Sequence, residues 1–174
     1  RMDIELDAHR HHLEELVASR TADLRDAETK YRTVADFTYD WETWIDDAGH
    51  LLYCSPSCER ITGYRADEFL ALPELHVEIA HEDDRAALQA HLLQGEHADV
   101  GEMEFRIHHK NGELRWIEHL CQSVRDAAGK SLGRRASHRD ITDRKQADEA
   151  LRHARDQAEA ANLAKSAFLA NMSH

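Results

Sequence analysis

From Ala147 to Met172 the residues Ala147, Leu151, Ala154, Ala158, Ala161, Lys165, Phe168 and Met172 follow one another in unbroken steps of four and three. No other feature constrains the fold as much. Such steps place every member on one stripe of an α-helix. A helix from Thr142 to His174 would be ~50 Å long at 1.5 Å per residue, and nothing inside it can bury the stripe. The stripe is rich in alanine and interrupted by Lys165, so two such helices could approach closely. It needs a partner, most simply a second copy across a two-fold axis. The chain opens with the same problem. Leu6, Leu13, Val17, Leu24, Ala27, Tyr31 and Val34 keep the rhythm, with Arg10 and Arg20 interrupting it, while Glu14, Glu15, Arg25, Asp26 and Glu28 keep the other faces wet. A helix packed on its own domain would show this spacing for a few turns. Over this length, with no apolar partner segment nearby, a coiled coil in a parallel homodimer is expected.

Between these segments the texture changes. All three Trp lie there, and six of the seven Gly fall between Gly49 and Gly129. WETWI, the turn Asp46-Asp47-Ala48-Gly49 and LLYCS read as a hairpin. SPSCERITGY reads as a Ser-capped short helix ending at Gly63. RADEFLAL is a second short helix with Ala66, Phe69 and Leu70 on one face. HEDDRAALQAHLLQG is a longer one, opened by acids and closed by Gly95. EMEFRI alternates, with Met103, Phe105 and Ile107 opposite Glu102, Glu104 and Arg106. Turns at Lys110-Asn111-Gly112-Glu113 and Ala127-Ala128-Gly129-Lys130 lead into LRWIEHLCQSV and SLGRRASHRDI. Two strands, several short helices and three strands predict an α+β fold. Its sheet has five antiparallel strands, the last three as a meander, with helices on one face. The expected divisions are 1–34 for the first coiled-coil helix, 35–142 for the compact domain and 143–174 for the second helix.

Composition narrows the partners. The net charge is −12 with no basic cluster, which argues against nucleic acid or an anionic membrane. No apolar run approaches the roughly 20 residues of a membrane span, and three cysteines, Cys54, Cys58 and Cys121, form no disulfide framework. A reducing cytoplasm is the simplest setting. Histidine is unusually frequent, at 14. His9, His11 and His12 could meet across a helical turn, but no Cys or carboxylate completes a site, and a solvated face is the simpler reading. Cys54 and Cys58 are four apart and lack a second pair. No metal site is expected, and His108 and His109 are expected to be exposed beside a turn.

The middle segment resembles a PAS domain. The motifs are DFTYDWETWIDDAGHLLYCSPSCERITGY, the helix opening HEDDR, then FRIHHKNGELRWIEH and the exit RDITDRKQ, in the family's order over roughly 110 residues. The ending AKSAFLANMSH resembles the H box of a sensor histidine kinase, with His174 at the phosphoacceptor position, and HLEELVASRTADL resembles the signalling helix that often precedes a PAS domain. The acidic residue and the Arg, Thr and Pro stretch that follow the acceptor in that family are absent, and no Gly or Pro stops the helix before His174. The chain is therefore expected to be a fragment: a sensor, flanking coiled coils and the start of a dimerisation helix.

The resemblance implies ATP and Mg²⁺ held by another domain of the parent kinase, phosphorylation of His174, and transfer of the phosphoryl group to a response regulator. Alone, the fragment should be inactive. It also implies a pocket between sheet and helices with no certain cofactor and room for an unidentified small molecule. Candidate liners are Trp41, Trp44, Tyr53, Trp116, His119, Cys121 and Phe105, with ordinary core packing as the simpler reading for each aromatic. Ile117, His119 and Cys121 share one strand face; Leu114, Trp116 and Leu120 share the other. Haem would need an axial ligand from His76, His81 or His91. The Asn-Cys-Arg motif of flavin photosensors is absent. Asp140-Ile141-Thr142 would be the joint between sensor and output helix. Ile141 would anchor on the sheet, Asp140 or Thr142 would cap the helix, and Arg115 or Arg135 would pair with Asp140. Two further functions remain open: a scaffold without kinase output, and a haem or redox sensor.

Overall fold

The computed structural model describes residues 2–93 and 100–172. Helix α1 (Met2–Asp36) leads into a hairpin of β1 (Trp41–Ile45) and β2 (Leu51–Cys54). Four short helices follow: α2 (Ser57–Thr62), α3 (Ala66–Ala71), α4 (Leu75–Glu78) and α5 (Glu82–Leu93). Strands β3 (Val100–His108), β4 (Leu114–Arg125) and β5 (Ser131–Asp140) form the meander, and α6 (Thr142–Met172) leaves the domain. The sheet order is β2-β1-β5-β4-β3, and every neighbouring pair is antiparallel.

Turn chemistry sets the register. Asp46 Oδ1 accepts the N–H groups of Ala48 and His50 at 2.9 and 2.8 Å. Asp126 Oδ1 does the same for Ala128 and Lys130, both at 2.9 Å. The two turns are thus built alike, each around an aspartate that replaces a backbone acceptor. At Gly133 the chain takes φ +96°, and a Cβ there would lie 1.9 Å from the Ile45 carbonyl oxygen. Only glycine allows β5 to run that close to β1.

The core lies between the sheet and the short helices. Trp41, Phe69, Ile61, Ile107 and Ile117 are its largest fully buried apolar members. Period two on the strands and one face of each helix bring them together. The HEDDR segment is fixed electrostatically. Arg106 Nη2 and Nε meet the two oxygens of Asp84 at 2.8 and 2.9 Å, and the Arg106 N–H donates to the same carboxylate at 2.8 Å. This bidentate pair holds Asp84 below the usual carboxylate range, because its charged form is the bonded one.

Four local expectations are corrected. Helix α2 has Pro56 at its N-cap and no side-chain cap; Ser55 and Ser57 instead share a hydroxyl contact at 2.6 Å. Phe69 is buried but Leu70 turns outward, and α4 was not foreseen. His108 and His109 are half-buried rather than exposed. The helix stop expected at Gly95 lies outside the described residues. Gly63 does close α2, with φ +81°.

The long helices present their stripes to solvent in the single chain. Val17, Leu24, Tyr31 and Val34 on α1 are 64–77% exposed, and Leu151, Phe168 and Met172 on α6 are 63–71% exposed. No helix among the described residues is long and apolar enough to cross a membrane. His9, His11 and His12 lie on an exposed stretch of α1.

Candidate sensory pocket and output joint

A cavity of about 210 Å³ lies on the helix side of the sheet. Its strand walls are Thr43 and Ile45 of β1, Leu51 of β2, His119 and Cys121 of β4, and Arg134, Ala136 and His138 of β5. Pro73, His76 of α4 and His91 and Leu92 of α5 close it from the helices. Alternation on β4 explains the selection: Ile117, His119 and Cys121 are buried on this face, while Leu120 between them is 49% exposed. The volume is below the roughly 300–1,000 Å³ of sites for drug-sized ligands. It suits an ion or a molecule of a few atoms, and a macrocycle has no room without displacing the lining.

Of the expected liners, His119 and Cys121 reach the cavity. Trp41 stands behind it as core, stacked on His138 and His76 with ring centres 4.2 and 5.0 Å apart. Trp44 and Tyr53 do not face it. Trp44 Nε1 donates to the Leu132 carbonyl at 2.7 Å, and the Tyr53 hydroxyl donates to Asp36 at 2.8 Å. For Trp44 the reason is the two-residue period, which puts it and Trp41 on opposite faces of β1; for Tyr53 it is the register shift between Trp44 and Ile45, which pairs Tyr53 with Trp44. Phe105 is core, and Trp116 lies on the outer face beneath the cations of Arg106 and Lys145. Among the haem candidates, His76 and His91 line the cavity; His81 lies apart, stacked on His108 at 5.5 Å. Cys54 accepts from Trp41 Nε1 at 3.2 Å and Cys58 donates to the Tyr64 carbonyl at 3.3 Å.

Four imidazoles share this space, and burial keeps them neutral. It pushes His76 down to about 4 and His119 down to about 3. His91 is lowered by burial and then by the Arg134 charge, and His138 by burial and then by His119. His119 Nδ1 meets His138 Nε2 at 3.0 Å, and His138 Nδ1 meets the Trp41 carbonyl at 3.0 Å. His91 Nε2 and Arg134 Nη2 approach the Cys121 sulfur at 3.3 and 2.9 Å. His91, His119 and Cys121 each offer a donor atom within 4.8 Å of the other two. Sequence reasoning missed Arg134 and His138, although one strand's alternation puts 134, 136 and 138 on a single face.

The joint is built from β5 and β4. Ile141 is 4% exposed, and its N–H donates to the Trp116 carbonyl at 2.9 Å. Asp140 Oδ1 accepts the N–H and the hydroxyl of Thr142 at 3.0 and 2.6 Å, so Asp140 caps α6. The Thr142 hydroxyl oxygen in turn accepts the Trp116 N–H at 3.0 Å. Arg115 lies 3.5 Å from Asp140, while Arg135 pairs with Glu42 at 3.2 Å. Arg115 also donates to the carbonyls of Arg60 and Ile61 in α2 at 2.8 and 3.1 Å. Arg144 spans Glu104 and Glu118 at 2.9 and 3.0 Å, and Lys145 meets Glu104. The first turn of α6 is thereby fastened to the outer face of β3 and β4.

The sequence profile described as "PAS fold" matches residues 51–138, just over half of the chain. The chain belongs to the PAS fold family. Solved structures share the fold. A PAS domain from Colwellia psychrerythraea is 22% identical with a TM-score of 0.55, covering 67% of this chain and 98% of that one. A sensory box histidine kinase/response regulator from Burkholderia thailandensis E264 is 27% identical with a TM-score of 0.54, covering 75% and 98%. An RNA-binding light-oxygen-voltage receptor is 26% identical with a TM-score of 0.57, covering 80% of this chain and 38% of the receptor. No curated protein sequence matches. The cavity is thus the pocket of a PAS sensor domain, with α1 entering and α6 leaving it. His174, the expected acceptor, lies outside the described residues.

Proposed function

We propose that this chain is the sensory and dimerising part of a cytoplasmic two-component sensor histidine kinase. Occupancy of the PAS cavity biases the geometry of α6, and α6 delivers that bias to His174. The observation that carries the reading is the joint. Asp140 ties Arg115 and the cap of α6 together, Ile141 anchors in the sheet, and a helix with an unpartnered stripe begins there without an intervening loop. Similarity to a sensory box histidine kinase at 27% identity supports the same context.

In this reading α1 and α6 each pair with their equivalents in a parallel homodimer. The alanine-rich seam, broken by Lys165, lets two packings lie close in energy, and a shift of the sheet selects between them. The acceptor needs a neutral imidazole nitrogen that attacks the γ-phosphorus of ATP. An N–P bond forms as the bond to the ADP oxygen breaks, and the ATP with its Mg²⁺ is held by another domain of the parent. A response regulator then receives the phosphoryl group. A photoreceptor role is not carried over from the light-oxygen-voltage similarity, because the Asn-Cys-Arg motif is absent from the sequence.

The test is autophosphorylation of the parent protein with γ-labelled ATP. Acid-labile label is expected on the wild type and is expected to vanish in His174→Gln. Label retained in that variant would overturn the assignment of His174. The exposed stripes equally favour a scaffold that dimerises without kinase output, and absence of any label in the parent would select that reading.

A further inference from the structure

The cavity holds a histidine nitrogen whose protonation is dictated by its neighbours. A carbonyl oxygen can only accept, so His138 Nδ1, 3.0 Å from the Trp41 carbonyl, carries a proton. A neutral His138 then has a bare Nε2, and His119 Nδ1, 3.0 Å from it, must donate. Neutral His119 therefore presents a lone pair at Nε2. That atom is buried and has no hydrogen-bond partner among the described residues, in a residue that is 1% exposed. A buried acceptor left this way is costly, and a chain that keeps one invites a partner from outside.

Two further donors stand beside it. His91 Nε2 and Cys121 Sγ are 3.3 Å apart, and donor atoms of His91, His119 and Cys121 all lie within 4.8 Å of one another. Space for them is kept open by Gly101 on β3. A Cβ there would lie 2.8 Å from His91 Cε1 and 2.9 Å from Cys121 Sγ. We propose that His91, His119 and Cys121 bind a late first-row divalent ion, Zn²⁺ being the fitting example, with the fourth position open to the cavity.

Chemistry selects the ion. A thiolate with two imidazoles suits Zn²⁺ or its neighbours and does not suit Mg²⁺ or Ca²⁺, which take oxygen donors. Bonds of ~2.0–2.1 Å to nitrogen and ~2.3 Å to sulfur place tetrahedral donors about 3.4–3.6 Å apart. The His91–Cys121 pair is already near that spacing, and side-chain rotation closes the rest. The His119–His138–Trp41 chain supplies the outer hydrogen bonds that orient a metal-bound imidazole. On binding, the Cys121 S–H bond breaks, the sulfur–metal bond forms, the proton leaves to solvent and no electron changes hands. A dication, one thiolate and two neutral imidazoles leave a charge of +1. With the Arg134 guanidinium 2.9 Å from the sulfur, the open position favours hydroxide or a small anion, a size that the cavity of about 210 Å³ admits. The site does not depend on the parent being a kinase.

Titration of the 174-residue chain with Co²⁺, followed by visible and near-ultraviolet absorption, tests it. One ion per chain is expected, with a thiolate-to-cobalt charge-transfer band that Zn²⁺ abolishes by displacement. Cys121→Ser should remove the band. Gly101→Ala, which leaves all three ligands in place, should weaken binding about tenfold or more. His108→Gln should leave the band unchanged, since His81, Glu82 and His108 form a separate group. No thiolate band in the wild type overturns the proposal, and so does a band that survives Cys121→Ser. The wild-type titration decides even if a variant fails to fold.

Discussion

Asp140 connects three structures with one carboxylate: β5 from which it projects, the first N–H of α6, and Arg115, which also holds the carbonyls of α2. Asp140→Ala removes the cap and leaves Arg115 without that carboxylate. Equilibrium urea unfolding should show a loss of about 1–2 kcal/mol with folding preserved, and output of the proposed parent kinase should change. Wild-type signalling in that variant would remove Asp140 from the relay. His76 gives a second prediction at this scale. Its folded value near 4 lies below the ordinary histidine value because burial disfavours the charged ring. The unfolded chain therefore binds more protons between about pH 6.5 and 4, and stability is full above that window and falls as pH drops through it. Between pH 7.5 and 5 the loss from this group is up to about 2 kcal/mol. Urea midpoints at the two pH values check it, and His76→Phe should lessen the dependence without abolishing it, because His91, His119 and His138 are lowered as well.

At the scale of elements, the strand pattern was largely legible and the pocket was not. The alternation of EMEFRI and the Gly-containing turns gave the meander, because those signals are local in sequence. Asp140 and Ile141 were legible as a joint, but the choice of Arg115 over Arg135 was not: strand register, which only pairing sets, places Arg135 opposite Trp44 and beside Glu42. Trp44 leaves the pocket by the two-residue period, and Tyr53 leaves it through the register shift between Trp44 and Ile45, which no local pattern announces. The cluster of His91, His119 and Cys121 joins α5 to β4 and has no spacing signature at all. Gly133 could not be read as special either, since its constraint is the Ile45 carbonyl across the sheet. Gly133→Ala combines a left-handed φ with that clash, so thermal unfolding should show a loss of more than about 2 kcal/mol, from strain and from weakened β1–β5 pairing.

On the scale of the whole molecule, a small core carries two helices that it does not cover. The described part of α6 is 31 residues long with Leu151 and Met172 exposed at opposite ends of one stripe. In the proposed dimer, burying both stripes against a second copy would turn the pocket into a transmitter, because a sheet can rotate or splay only helices that press on something. Phe168→Glu should weaken that association about tenfold or more by sedimentation velocity, since it places like charges together in an apolar seam. The same association dictates which residues meet, for in a parallel pair each seam residue faces its own copy. The most direct measurement is mild oxidation of Ala161→Cys, with Ala160→Cys off the seam as the control. The account expects a disulfide-linked dimer from position 161 and little from position 160. A chain that stays uncross-linked at position 161, or links equally well from both positions, would contradict it.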